Sequence, residues 1–189
     1  MVIALYIVAG VLGLVLAMAL VGALLPRGHV AARRATLDRP LDEVWRALAD
    51  LDAMPRWRRG VTRIERLSPT AFREHSSHGA ITFAIEVDDP PRRRVTRIAD
   101  DKLPFGGAWI YELEPDGAGT RLTITEDGFV SNPIFRLLSR TVFSQTATLE
   151  RFLVDLAAHL GVTARPEPAP PSTSTSAPPA RRATPPGRA

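Results

Sequence analysis

The chain has 189 residues, no cysteine and a formal net charge of +4. It therefore has no disulfides, thiolate zinc ligands or cysteine nucleophile. The positive charge sits in the flanks: residues 1–34 carry Arg27, Arg33 and Arg34 without an acid, residues 162–189 sum to +3, and residues 35–161 sum to −2. A nucleic-acid-binding domain should carry a basic face on its folded part, so nucleic acid is not expected as a partner.

Residues 2–25 contain no charged side chain. As a helix they rise about 36 Å, enough to cross a hydrocarbon core of about 30 Å. Pro26 then stops the helix. Residues 1–26 are predicted to be a single transmembrane anchor. A cleaved signal peptide fits less well, because it calls for a basic start and a shorter apolar stretch. Arg27, Arg33 and Arg34 follow the span, so the positive-inside rule places the next domain in the cytoplasm of a single-pass membrane protein. Ala9, Gly13 and Ala17 form a small-residue row that suits helix-mediated self-association; Ala/Gly-rich filler gives the same pattern.

Residues 29–37 read as a short strand. Residues 40–50 read as an amphipathic helix, with Leu41, Val44, Trp45 and Leu48 at helical spacing, Pro40 in its first turn and Asp38 or Arg39 as its cap. Residues 52–57 are a turn or second short helix. Strands follow over 61–67, 71–78, 81–87, 92–99, 108–114 and 120–129, with turns rich in Gly, Pro and Asp. Ile81, Phe83, Ile85 and Val87 alternate strictly with smaller or polar residues, the pattern of a half-buried strand. From Ile134 to Leu160, apolar residues recur at helical spacing over about 28 residues, and Gly161 ends the run. Residues 144–148 are small and polar, and interrupt that stripe. Such a break suits a helix crossing the mouth of a cavity, or one turn facing solvent. Residues 162–189, rich in Pro, Ser, Thr, Ala and Arg, are predicted to be a disordered tail.

The element order and several motifs resemble the SRPBCC superfamily, the START-like group that includes polyketide cyclases/dehydrases. Pro40, Val44, Trp45, Leu48 and Asp50 match its opening helix pattern. Pro55 and Trp57 match its turn, Gly119-Thr120-Arg121 with Thr123, Thr125 and Glu126 match a strand, and Asn132-Pro133 leads into the last helix. The resemblance covers about residues 30–161 and rests on structural signatures. It implies an α+β helix-grip domain over 27–161: a curved antiparallel sheet of about seven strands wrapped around a long C-terminal helix, with an apolar cavity between them. The superfamily hosts binders, transporters and enzymes, so the fold leaves the function open.

Strand alternation nominates the cavity residues. Trp109 and Tyr111 share a face, as do Phe83 with Ile85, and Leu122 and Ile124 with Glu126. Gln145 and Leu149 face them from the last helix. Glu126 is expected at the rim, paired with an arginine; turned fully inward, it would be a proton-transfer group. His75 and His78 fall on opposite strand faces and His159 at a helix end, so no metal site is expected. Asp88-Asp89, Asp100-Asp101 and the neighbouring arginines read as solvated loop charge. No nucleotide-binding loop or hydrolase motif is present, and no cofactor is expected.

Three functional readings follow. The first is a membrane-anchored protein that binds a hydrophobic small molecule, such as a lipid, isoprenoid or quinone, from the adjacent bilayer. The second is a cyclase/dehydrase-like enzyme using Glu126 and Tyr111, which ranks lower because polar cavity residues are sparse. The third is an interaction protein acting through its Pro/Arg-rich tail.

Overall fold

The computed structural model describes residues 2–77, 79–141 and 146–172. Helix α1, Val2–Leu24, is long and apolar enough to cross a membrane, and almost all of it is exposed. Ala9, Gly13 and Ala17 lie exposed along it. Strand β1, Gly28–Leu37, follows directly, then helix α2, Leu41–Ala49, and the single turn α3, Met54–Trp57. Pro40 is itself the N-cap residue of α2 and no side chain caps the helix, so neither Asp38 nor Arg39 takes that role. Strands β2 Val61–Ser68, β3 Ala71–Ser76, β4 Gly79–Asp89, β5 Arg93–Ile98, β6 Phe105–Asp116 and β7 Gly119–Val130 form an antiparallel meander, closed by β7 pairing with β1. The sheet is curved and the domain is an α+β helix-grip.

The helical run after Asn132 appears as two elements, α4 Pro133–Thr141 and α5 Ala147–His159. They pack in different places. Helix α5 lies across β1 and α3, while α4 packs against α1. The core sits under α5, where Leu149, Leu153 and Leu156 meet Leu37, Val44, Leu113, Leu122 and Ile124. Asp155, also buried, accepts hydrogen bonds from the Arg59 backbone N–H at 3.0 Å and from Arg59 Nε at 2.6 Å. This ties the turn after α3 to α5. His159 stacks on Trp57, with ring centroids 5.8 Å apart.

The strict alternation of β4 does not survive. A register shift between Ile85 and Val87 turns Val87 to the outer face, where it packs with Val95, Ala108 and Ile110. A bulge of this kind adds a residue on one strand and reverses the facing of everything beyond it. Asp88 then pairs with Arg94, a buried residue whose guanidinium lies over the Trp45 ring. Arg94 is therefore part of the interior and not loop charge.

The tail also departs from expectation over its first part. Glu167–Pro168 forms a short eighth strand, β8, on the outer edge of β1, with Glu167 bridging Arg34 at 2.7 Å. The Ser172 N–H donates to Thr125 Oγ1 at 3.0 Å, and its hydroxyl donates to the Glu112 carboxylate. An open sheet edge offers unpaired backbone groups, so edge pairing needs no apolar side chains and tolerates proline. Residues 173–189, with the remaining proline pairs, lie outside the described residues.

The junction of α1 and the domain rests on Arg136, which is 4% exposed. Its guanidinium donates to the carbonyls of Gly22 and Leu25 at the end of α1, at 3.1 and 3.0 Å, and to those of Val130 and Ser131, at 3.0 and 2.9 Å. A Cβ on Gly22 would lie 1.9 Å from the Pro133 carbonyl oxygen, so glycine is what lets α4 approach. Hydrogen bonds from a charged donor contribute roughly 1.5–3 kcal/mol. Arg136→Ala should speed amide exchange across residues 133–141 by about ten- to a hundredfold and leave α5 unchanged, as read by hydrogen–deuterium exchange of the full chain in nanodiscs.

Candidate ligand cavity

The inner sheet face is only partly covered by α5. Toward the other end of the grip it leaves a cavity of about 380 Å³. Strand alternation brings Phe72 and Glu74 from β3, Ile81 and Phe83 from β4, and Arg94, Thr96 and Ile98 from β5 into the wall. Trp109 and Tyr111 come from β6, Glu126 from β7 and His29 from β1. Leu48, Leu51, Met54 and Arg58 close one side, and Ser139, Thr148 and Phe152 come from the C-terminal helices.

The wall is mostly apolar, with Trp109, Tyr111 and Phe152 in mutual contact at 5.5–6.1 Å between centroids. Its polar groups are sorted into separate places. On one side, Arg58 Nη1 meets Glu74 Oε2 at 2.6 Å, and its guanidinium carbon lies 5.5 Å from the Trp109 ring and 5.3 Å from that of Phe152. A guanidinium paired and stacked in this way is held in one pose. Elsewhere His29 Nε2 lies 3.4 Å from Glu126 Oε1, at the long end for a hydrogen bond. The expected arginine partner of Glu126 is thus a histidine.

Glycine makes room for that pair. A Cβ on Gly128 would lie 2.7 Å from His29 Cε1, so the imidazole rests directly over the bare backbone of β7. Opposite it, Gly107 has φ +142°, and a Cβ there would lie 2.4 Å from the Asp127 carbonyl oxygen. Glycines inside a strand mark such close approaches. Gly106-Gly107 and Gly128 were the signal that could have flagged this corner from sequence.

Of the residues singled out by alternation, Phe83, Trp109, Tyr111 and Glu126 line the cavity. Leu122, Ile124 and Leu149 are fully buried in the core under α5, beyond the cavity. Ile85 packs beside Phe83 with Leu51, Met54 and Phe72. Gln145 lies outside the described residues, as does His78. His29, Arg58, Glu74 and Arg94 did not follow from sequence, because Arg and Glu are mostly surface residues and His is intermediate in burial. His75, one residue beyond Glu74, meets Glu65 at 3.1 Å away from the cavity. Among the described residues, no cluster of His, Asp or Glu could hold a metal ion.

Burial pushes the Tyr111 phenol up to about 12, although the Arg58 and Arg94 guanidinium groups pull it the other way. Tyr111 therefore stays protonated near neutral pH and offers a hydrogen-bond donor, not a base. A folded-state value above the unfolded value of 10.0 means that stability is intact below pH 10 and falls as pH rises toward 12. Urea unfolding across that window should show up to about 3 kcal/mol lost, and Tyr111→Phe should remove most of that slope.

Among curated proteins there was no significant match. Solved structures similar to it include a conserved protein from Geobacillus kaustophilus, at 14% identity and TM-score 0.60, covering 73% of this chain and 99% of that one. A START superfamily protein from Mycobacterium smegmatis aligns at 17% identity and TM-score 0.58, covering 70% and 97%. The Zhui aromatase/cyclase from a Streptomyces species aligns at 16% identity and TM-score 0.58, covering 71% and 94%. At such identities these similarities establish the START-like fold alone. The sequence profile described as "Polyketide cyclase / dehydrase and lipid transport" matches residues 29–161, most of the chain, so this protein belongs to that family.

Proposed function

We propose that the protein is a membrane-anchored binder of a hydrophobic small molecule, of lipid, isoprenoid or quinone character, held between the sheet and the C-terminal helices. The observation that carries this reading is the cavity of about 380 Å³ with a largely aromatic and aliphatic wall. Ligand pockets commonly have volumes of this order, apolar walls and a few fixed polar groups. The Arg58–Glu74 pair and the Tyr111 hydroxyl suit a ligand with one polar end, such as a carbonyl, hydroxyl or carboxylate. In this reading α1 spans the bilayer, and Arg27, Arg33 and Arg34 keep the domain on the cytoplasmic side.

A second reading, chemistry of the cyclase/dehydrase type, is favoured by one observation: a carboxylate and an imidazole, Glu126 and His29, meet at the cavity wall. His29 takes the place beside Glu126 that Tyr111 held in the sequence reading. Glu126→Gln with unchanged turnover of a bound ligand would remove it.

The binding reading is tested by filling the cavity. Ile81 lines it and is partly exposed, so Ile81→Trp adds bulk at tolerable strain. The full chain in nanodiscs should bind an environment-sensitive apolar fluorophore, and Ile81→Trp should weaken that binding at least about tenfold with the circular dichroism spectrum unchanged. Equal binding by the two proteins would overturn the assignment of the cavity as the binding site.

A further inference from the structure

Three exposed phenylalanines lie at the end of the domain that meets the anchor: Phe105 at 38% exposure, Phe129 at 45% and Phe135 at 57%. Hydrogen bonds fix their place. The Val130 N–H donates to the Arg27 carbonyl at 3.0 Å, the Ser131 N–H donates to the Pro104 carbonyl at 2.8 Å, and Arg136 joins Val130 and Ser131 to the end of α1. Val30, also exposed, lies on the adjoining stretch of β1. The starts of β1, β6 and α4 and the end of β7 therefore converge within a few residues of Leu25.

Helix α4 reaches further. On α1 the covered or partly covered positions are Met18, Ala19 and Gly22, with Leu25 just after it, spaced as one helix face, and α4 is the element packed against α1. Seven residues of helix correspond to about 10 Å along its axis. If α1 spans a bilayer, α4 lies beside its last two turns, at the depth of the headgroups and upper acyl chains. Its sequence suits that depth, with Ile134, Phe135, Leu137 and Leu138 among its nine residues. Amphipathic helices that bind membranes bury their apolar face about 5–10 Å deep.

We infer that α4, together with Phe105 and Phe129, is a second membrane-contacting element: an interfacial helix and aromatic rim that seat the domain against the bilayer. The partner is the lipid surface itself. Exposed Asp101 and Asp127 lie close to this end beside exposed Arg27 and Lys102, so its charge is balanced and the contact rests on the apolar side chains. The cavity shares this side. Of its lining residues, Phe105, Phe129 and Thr148 are exposed, which sets the opening between the starts of β6 and α5 and the end of β7. The seated rim therefore brings the cavity opening to the lipid. The inference rests on the proposed anchoring by α1.

The chain has no cysteine, so single nitroxide labels can be placed on the full-length protein. Phe135→Cys, Phe129→Cys, Leu12→Cys and Leu67→Cys would be labelled and reconstituted in nanodiscs of phosphatidylcholine. All four positions are exposed, so the fold should tolerate the change. Power saturation with oxygen and with a water-soluble nickel chelate then reads depth. The labels at 135 and 129 should show at least about a threefold higher oxygen-to-nickel accessibility ratio than the label at 67, with the label at 12 highest. Labels at 135 and 129 as water-accessible as that at 67, with 12 immersed, would overturn the interfacial helix and leave the anchor standing. A label at 12 in water would overturn both.

Discussion

An apolar helix ends on backbone carbonyls that no further turn satisfies, and an uncompensated end is costly wherever water is scarce. In this molecule one guanidinium meets part of that need, at Gly22, whose carbonyl also accepts from the Leu25 N–H, and at Leu25 just past the helix. Arg136 donates to two carbonyls at the end of α1 and to two just after β7. Arginine suits the role because its donors are fixed in a planar fork and its charge lies at the negative end of the helix dipole. Lysine would offer the charge without the fork. Helix α1 is therefore joined to the domain through β7 and α4. A chain of Pro26 and Arg27 alone would have allowed the two to swing.

That junction also accounts for the cavity. A helix-grip sheet is filled by its C-terminal helix, but here α4 is committed to α1. The thirteen residues of α5, with Val44, Trp45 and Leu48 of α2, cover only part of the inner face. They fill one end with Leu149, Leu153 and Leu156 packed on Leu37, Leu122 and Ile124. Across β3, β4 and β5 the aromatic and aliphatic wall faces open space. The packing that fixes the domain against α1 thus goes with a hollow in the part of the grip that Leu149, Leu153 and Leu156 do not fill. A fully closed interior would be more stable by the area it buried, so the hollow is held at a cost in stability.

The architecture was legible from hydrophobic period and turn chemistry. Strand alternation gave the meander nearly to its ends, and helical spacing gave α2 and a C-terminal helical run, read as one helix of about 28 residues where the structure describes two, α4 and α5. Two errors share a cause: periodicity describes a segment and not its surroundings. The pattern of Ile81, Phe83, Ile85 and Val87 is indifferent to a bulge, yet the bulge sends Val87 to the outer face. The composition of residues 162–172 shows that they cannot form a core, but says nothing of an open strand edge within reach. At the cavity, Phe83, Trp109, Tyr111 and Glu126 followed from alternation. Arg58, Glu74 and Arg94 could not, because their burial depends on partners brought together by the fold: Glu74 for Arg58, and Asp88 with the Trp45 ring for Arg94.

The central claim is that this hollow end of the grip holds a hydrophobic molecule. Native mass spectrometry of the full chain released from nanodiscs prepared directly from its host's membranes tests it most directly. The account predicts one stoichiometric small-molecule adduct that survives the activation needed to strip bulk lipid, and that is lost from Ile81→Trp. A bare chain, or an adduct equally retained by Ile81→Trp, would contradict it.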